Sequence, residues 1–233
     1  MTSSRLPGKV LRPLAGRSVL GWVLRAAQAA DQLDGIVVAT STDPEDDAVA
    51  FEAVRHDGVS VHRGPRDDVL ARFCGVVDRD PAVAVVRLTA DCPLLDPAVI
   101  DMIVSTWRAN PGIDHLTTTN PRCLPRGLDV EIVSRRALEA VAHSATGPDR
   151  VHVTSAIYRQ PDRYVVTGMV LHPDASDLRV TLDTPHDAAL LEALVDLLGD
   201  RPPPWRDTVG ALRAHPEMTA LNADVVQKQW HEG

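Results

Sequence analysis

VAVVRLTADCPLLDPAVI, residues 83–100, decides the fold. Val83 to Thr89 is a mostly apolar run and reads as a strand. Asp96-Pro97 supplies an N-cap and a proline at the first helical position, so the spacing predicts a helix from Pro97 to about Asn110. Asp91 then lies just past the carboxyl end of a central strand, where ligands bind in open α/β sheets.

The same cycle extends upstream. Residues 17–33 place Leu20, Val23, Leu24 and Ala27 on one helical face, and Ile36–Thr40 follows as a short strand. Asp43-Pro44-Glu45-Asp46 opens a helix to about Arg55, Val59–His62 is a strand, and a helix runs from about Asp67 to Asp78. Strands alternating with helices of this length predict βαβ units in a mostly parallel sheet with helices on both faces. Downstream the rhythm changes. Asp114–Thr118, Leu128–Val133, Tyr164–Val170 and Leu178–Leu182 read as strands, with helices at about 134–145, 148–159 and Pro185–Leu198, then a mostly helical end. One domain over 1–233 is expected, with an acceptor-binding section at about 114–170.

Composition excludes several classes. The chain has 233 residues, a net charge of −8 and only 3% aromatic residues, so it lacks the basic excess and stacking platform of a nucleic-acid binder. Its three cysteines are scattered without CxxC spacing, which points to a reducing cytoplasm and no structural zinc. No apolar run is long enough to span a bilayer, and no signal-type stretch opens the chain. HExxH, GxSxG and GxGxxG are absent, so zinc hydrolysis, serine acyl transfer and nicotinamide chemistry lack support.

Three segments carry candidate chemistry. In Thr2-Ser3-Ser4-Arg5-Leu6-Pro7-Gly8-Lys9 the small hydroxyl residues permit close backbone approach to an anion, while Arg5 and Lys9 bring a fork and a point charge. A phosphate loop and an ordinary solvated N-terminus both fit that pattern. Asp91 and Asp183 each end a strand, and two such carboxylates on one sheet edge suit a magnesium ion bound to phosphates; a turn role for Asp91 and an N-cap role for Asp183 are the alternatives. Thr184-Pro185 with Asp187 reads as a helix start, as does Asp96. Arg63-Gly64 can meet a nucleotide or simply turn the chain. Pro125-Arg126-Gly127 sets an arginine beside a tight turn, and Asp129 and Glu131 share one strand face.

Taken together and in order, SSRLPGKVL, IVVATSTDPEDD, HRGPRDDVLARF, VVRLTADCPLLDP, PRGLDVEIVS, RVHVTSAIY and LRVTLDTPHD resemble the cytidylyltransferases of spore-coat polysaccharide biosynthesis. More distantly the chain resembles the acylneuraminate and 3-deoxy-octulosonate cytidylyltransferases. The resemblance runs from about residue 3 to 195; no motif is recognised in the last 35 or so residues. It implies a Rossmann-like, GT-A-like nucleotidyltransferase fold and Mg2+-dependent transfer of CMP from CTP to an anionic acceptor, with release of pyrophosphate. Ser3, Ser4, Arg5 and Lys9 would meet the triphosphate, with Arg63 and Gly64 near the nucleotide. Asp91 and Asp183 would hold the metal, Arg5, Lys9 and Asp91 would be catalytic, and Arg126, Asp129, His152 and Thr154 would face the acceptor. Family habit suggests a homodimer. The chain begins at the loop, so the usual first strand is expected to be missing. The family's Arg-Glu-His-Val-Thr is here Arg150-Val151-His152-Val153-Thr154, which widens the acceptor from an acidic sugar to a small phosphonate or carboxylate in a specialised, antibiotic-type pathway. A non-catalytic nucleotide-binding protein and a nucleotide-sugar glycosyltransferase are the competing readings.

Overall fold

The computed structural model describes residues 5–227. A 3-10 turn at Lys9–Leu11 leads into a small hairpin, β1 (Pro13–Leu14) and β2 (Arg17–Ser18). Then come α1 (Val19–Gln28), β3 (Ile36–Ser41), α2 (Asp47–Ala53), β4 (Val59–Gly64), α3 (Val69–Arg79), β5 (Ala84–Arg87) and α4 (Pro97–Ala109). The second half is β6 (His115–Thr117), β7 (Glu131–Ser134), α5 (Arg135–Ala142), α6 (Pro148–His152), α7 (Ser155–Tyr158) and β8 (Val166–Gly168), followed by α8 (Pro185–Leu198), α9 (Trp205–Ala214) and α10 (Pro216–Ala220). Helix starts follow their caps. Asp96 accepts from the Ala98 amide at 2.8 Å and, with its other oxygen, from the Trp205 amide at 2.8 Å, so this buried carboxylate joins α4 to α9.

β3 and β4 pair in parallel, Ile36 opposite Val59. The larger sheet has the order β5-β7-β6-β8, in which β7 runs antiparallel to both neighbours and only β6 and β8 are parallel. The α/β class therefore holds: β3 and β4 run alike, β5, β6 and β8 run alike, and β7 alone is reversed, which makes the larger sheet mixed. The chain doubles back after β6, and strand direction leaves no trace in an apolar run. Among the described residues no strand precedes the 3-10 turn, and β3 and β5 lie in separate hydrogen-bonded sheets.

Alternation along the larger sheet sorts the core. Val86, Leu116 and Ile132 face Trp22 of α1, Ile100 and Ile103 of α4 and Leu191 and Leu194 of α8. Val85, Val133 and Val166 face Leu70 and Val77 of α3, Leu138 and Val141 of α5 and Ile157 of α7. Helices thus cover both faces. Each fully buried Leu or Ile adds about 1.5–3 kcal/mol, so the rim that carries the polar loops is held by a rigid double layer. No helix among the described residues is long and apolar enough to cross a membrane.

Two expected elements take another form. Leu178–Leu182 makes a single bridge, Arg126 with Arg179, because its backbone pairs with a loop: the Arg126 amide donates to Leu178 at 2.9 Å and the Val180 amide to Arg126 at 2.7 Å. Gly127, at φ 106°, permits this crossing, since a Cβ there would sit 2.5 Å from the Thr181 nitrogen. The helix expected over 148–159 breaks at Val153, whose φ of 56° and ψ of −61° form a γ-turn closed by the Thr154 amide on the His152 carbonyl at 2.6 Å.

Candidate active site

The strand ends bring the N-terminal loop, the loop after β5 and the segment before α8 to one place. The Leu182 amide donates to the Asp91 carbonyl at 2.8 Å and Thr181 Oγ1 to the same oxygen at 3.2 Å, which sets Asp91 and Asp183 side by side. Gly8, at φ 69°, starts the 3-10 turn that carries Lys9 in from the opposite side. The Lys9 ammonium bridges the two carboxylates, donating to Asp91 Oδ2 at 2.5 Å and Asp183 Oδ1 at 2.7 Å. Burial lowers the ammonium's pKa, but Asp91 and Asp183 outweigh it and raise it above the ordinary value. Beneath Asp91, Cys92 is buried against Thr89, and burial pushes its thiol well up, so it is an inert neighbour.

Asp183 is the most heavily charged point. Its Oδ2 meets Arg5 Nη2 at 2.9 Å and Arg179 Nη2 at 2.7 Å. Burial raises its pKa, but Lys9, Arg179 and Arg5 together hold it at about 2. Arg179 in turn donates from Nε to Asp187 at 2.8 Å. Asp187 completes the capping box expected with Thr184, yet its fully buried carboxylate is also the anchor of Arg179. Asp91 and Asp183 therefore present two partly exposed carboxylates to one cation, and two carboxylates plus phosphate oxygens is a donor set Mg2+ accepts. No group of three or more His, Cys, Asp or Glu side chains among the described residues could hold a metal. The pair fits an ion whose remaining ligands come from substrate.

The section expected to bind the acceptor is wired differently. Arg126 is half-buried, and among the described residues its guanidinium makes no hydrogen bond or ion pair; burial, then the charge of Arg122, lowers its pKa. Asp129 is held bidentately by Arg122 at 2.6 and 3.1 Å. Thr154 Oγ1 donates to Glu131 at 2.9 Å, and Arg87 Nη1 lies 3.4 Å from the same oxygen. Burial raises the Glu131 pKa, but Arg87, His115 and Thr154 hold it at about 2. His152 sits in the last turn of α6, partly buried, and the γ-turn at Val153 separates it from Thr154. A β-branched residue at positive φ is a strained outlier of the kind that collects at ligand sites.

Arg63 is spent locally: its Nε donates to Ser41 O at 2.7 Å, Nη2 to Asp43 O at 3.0 Å, and Nη1 pairs with Asp47 at 2.7 Å. Gly64 O accepts the Thr42 amide at 2.9 Å, so Arg63 and Gly64 shape the loop between β3 and α2. Ser3 and Ser4 lie outside the described residues. The structure brings Arg5, Lys9, Asp91 and Asp183 into direct contact and places Arg126 and Asp129 beside Arg122. Sequence reasoning missed Arg122, Arg179 and Asn222; only Arg179, four residues before Asp183 in LRVTLDTPHD, left a readable signal.

Residues 1–200 match the family model described as cytidylyltransferase. The spore coat polysaccharide biosynthesis protein SpsF of Bacillus subtilis (strain 168) is 32% identical over 211 residues, covering 87% of this chain and 85% of that protein. A cytidylyltransferase from Leptospira borgpetersenii serovar Hardjo-bovis (strain JB197) superposes with a TM-score of 0.89 at 27% identity, covering 97% of this chain and 94% of the other. CMP:2-keto-3-deoxy-manno-octonic acid synthetase complexed with CTP shares the fold, with a TM-score of 0.65 at 16% identity over 84% of this chain and 95% of its own.

Proposed function

The chain belongs to the cytidylyltransferase family and is an enzyme of that class, and from this premise we propose that it transfers CMP from CTP to an anionic acceptor with release of pyrophosphate. The observation that carries the reading is the Lys9 bridge between Asp91 and Asp183, with Arg5 on the same carboxylate. Arg5 and Lys9 are the cations for the triphosphate, and Asp91 and Asp183 would hold a divalent cation, Mg2+. When bound, that ion neutralises charge on the phosphate oxygens as the α-phosphorus is attacked. Lys9 then exchanges its carboxylate partners for phosphate oxygens. An acceptor oxygen attacks in line and pyrophosphate leaves, a reaction that asks the protein for positioning and charge rather than a covalent nucleophile.

Arg126 supports an acceptor carrying a carboxylate or phosphonate, because a half-buried guanidinium free of carboxylate partners among the described residues is a fork for a planar or tetrahedral anion. Asp129, His152 and Thr154 take the acceptor's hydroxyl face, with Thr154 fixed by Glu131. The SpsF name, that of a protein of spore coat polysaccharide biosynthesis, favours a sugar acceptor; Val151 in place of the family's glutamate keeps a small phosphonate or carboxylate in the reading. Arg63 and Gly64 shape the nucleotide side through the loop after β3. Family resemblance also supports a homodimer, which light scattering checks. The test is pyrophosphate release from each of the four nucleoside triphosphates, with and without Mg2+, against acidic sugars and small phosphonates. Release with CTP and an anionic acceptor is expected. Hydrolysis of a nucleotide sugar without CTP consumption, or no turnover with any acceptor, overturns the reading.

A further inference from the structure

The family model matches residues 1–200, yet the segment after α10 returns to the site. Asn222 is buried, and its Nδ2 donates to Asp187 Oδ1 at 2.9 Å and to the Arg179 carbonyl at 3.3 Å. Gln227 Oε1 accepts from Arg179 Nη1 at 2.5 Å. The Val226 carbonyl accepts from Arg5 Nη1 at 3.3 Å. Arg5 and Arg179 are the two guanidiniums on Asp183 Oδ2, so each is held from behind by residues 222–227 while it holds the carboxylate in front.

This arrangement is specific in its chemistry. Arg179 spreads over three partners: Nη2 to Asp183, Nε to Asp187 and Nη1 to Gln227. A planar fork fixed at three points has one orientation, and that orientation pins Asp183 Oδ2 while Oδ1 faces Lys9. Without Gln227 and Asn222 the guanidinium keeps Asp187 but gains freedom to swing away from Asp183. Groups that orient a ligand from outside commonly affect affinity by about tenfold or more.

We propose that Asn222 and Gln227 are positioning residues for Asp183, acting through Arg179, and that residues 222–227 form a strap that shapes the metal and triphosphate end of the site. The inference rests on the reading of Asp91 and Asp183 as the metal carboxylates. Its test is Mn2+ titration of the full-length protein by electron paramagnetic resonance, with CTP present and no acceptor, so that acceptor chemistry plays no part. Gln227→Leu should raise the Mn2+ concentration at half-saturation about tenfold. Gln227→Glu, which keeps an acceptor for Arg179 Nη1, should titrate as wild type. Asn222→Ala should shift in the same direction as Gln227→Leu and also lower Tm, because Asn222 is buried. Wild-type titration by Gln227→Leu, or equal shifts in both Gln227 variants, would overturn the strap. Failure of the two readings is distinguishable: Mn2+ uptake with the Gln227 split intact but no transfer to any acceptor overturns the proposed reaction alone. A wild-type protein that takes up no Mn2+ with CTP overturns the strap as well.

Discussion

The two ends of the site differ in how their charges are spent. At the proposed triphosphate end Lys9, Arg5 and Arg179 are paired with Asp91, Asp183 and Asp187, and Lys9, Arg5, Arg179, Asp183 and Asp187 each have two or more partners. At the proposed acceptor end the Arg126 guanidinium has no hydrogen-bond or ion-pair partner among the described residues, Val151 is exposed and Val153 is strained. A dense network with a defined geometry suits a ligand that does not vary. A guanidinium with no partner among the described residues suits, on the proposed reading, the anionic group of the acceptor.

The largest expected effect breaks the triphosphate end. Lys9→Ala removes the only side chain that bridges Asp91 and Asp183 among the described residues, and should lower kcat/KM for CTP by about a hundredfold to a thousandfold. Lys9→Arg should not restore it, because a fork cannot replace a point charge between two carboxylates. Steady-state kinetics with varied CTP checks both.

Next comes Glu131, the most buried charge of the acceptor end. Its pKa falls from 4.5 to about 2 on folding, so its stabilisation is complete above about pH 4.5 and is lost as pH falls towards 2. Glu131→Gln should be less stable than wild type by about 3 kcal/mol at pH 7. Urea melts at pH 7 and pH 3 should show that gap closing; a gap independent of pH would mean that packing, not charge, carries it.

Arg126→Ala should raise the acceptor KM about tenfold to a hundredfold and leave the CTP KM unchanged, as expected for one charge-assisted contact of about 1.5–3 kcal/mol. Equal effects on both substrates would merge the two ends. The smallest effect is Val151→Glu. This residue is 39% exposed, so the substitution should leave Tm nearly unchanged while raising KM for a compact anionic acceptor about fivefold, the size of a roughly 1 kcal/mol like-charge interaction.

Much of this was readable in the chain itself. Val83–Thr89 announced a strand and put Asp91 just past its end, although that strand lies at the edge of the β5-β7-β6-β8 sheet rather than at its centre, and Pro185–Leu198 was bounded by its own cap. The antiparallel return of β7 was not readable, since Glu131–Ser134 is apolar or polar in the same way whichever direction it runs. The break at Val153 opposes local propensity and is imposed by tertiary packing. Arg122 and Asn222 act through partners that only the folded chain brings near: Asn222 meets Asp187 across 35 residues. Asp187 was legible as a cap, but its second role needed Arg179 beside it.

The account rests most directly on Asp91 and Asp183 acting as one cation site. Divalent-dependent pyrophosphate release from CTP, compared between wild type and Asp91→Asn at matched folding, tests that claim. Asp91→Asn keeps the size of the side chain and removes its charge, and the account predicts loss of nearly all Mg2+-dependent release; full activity in Asp91→Asn would contradict it.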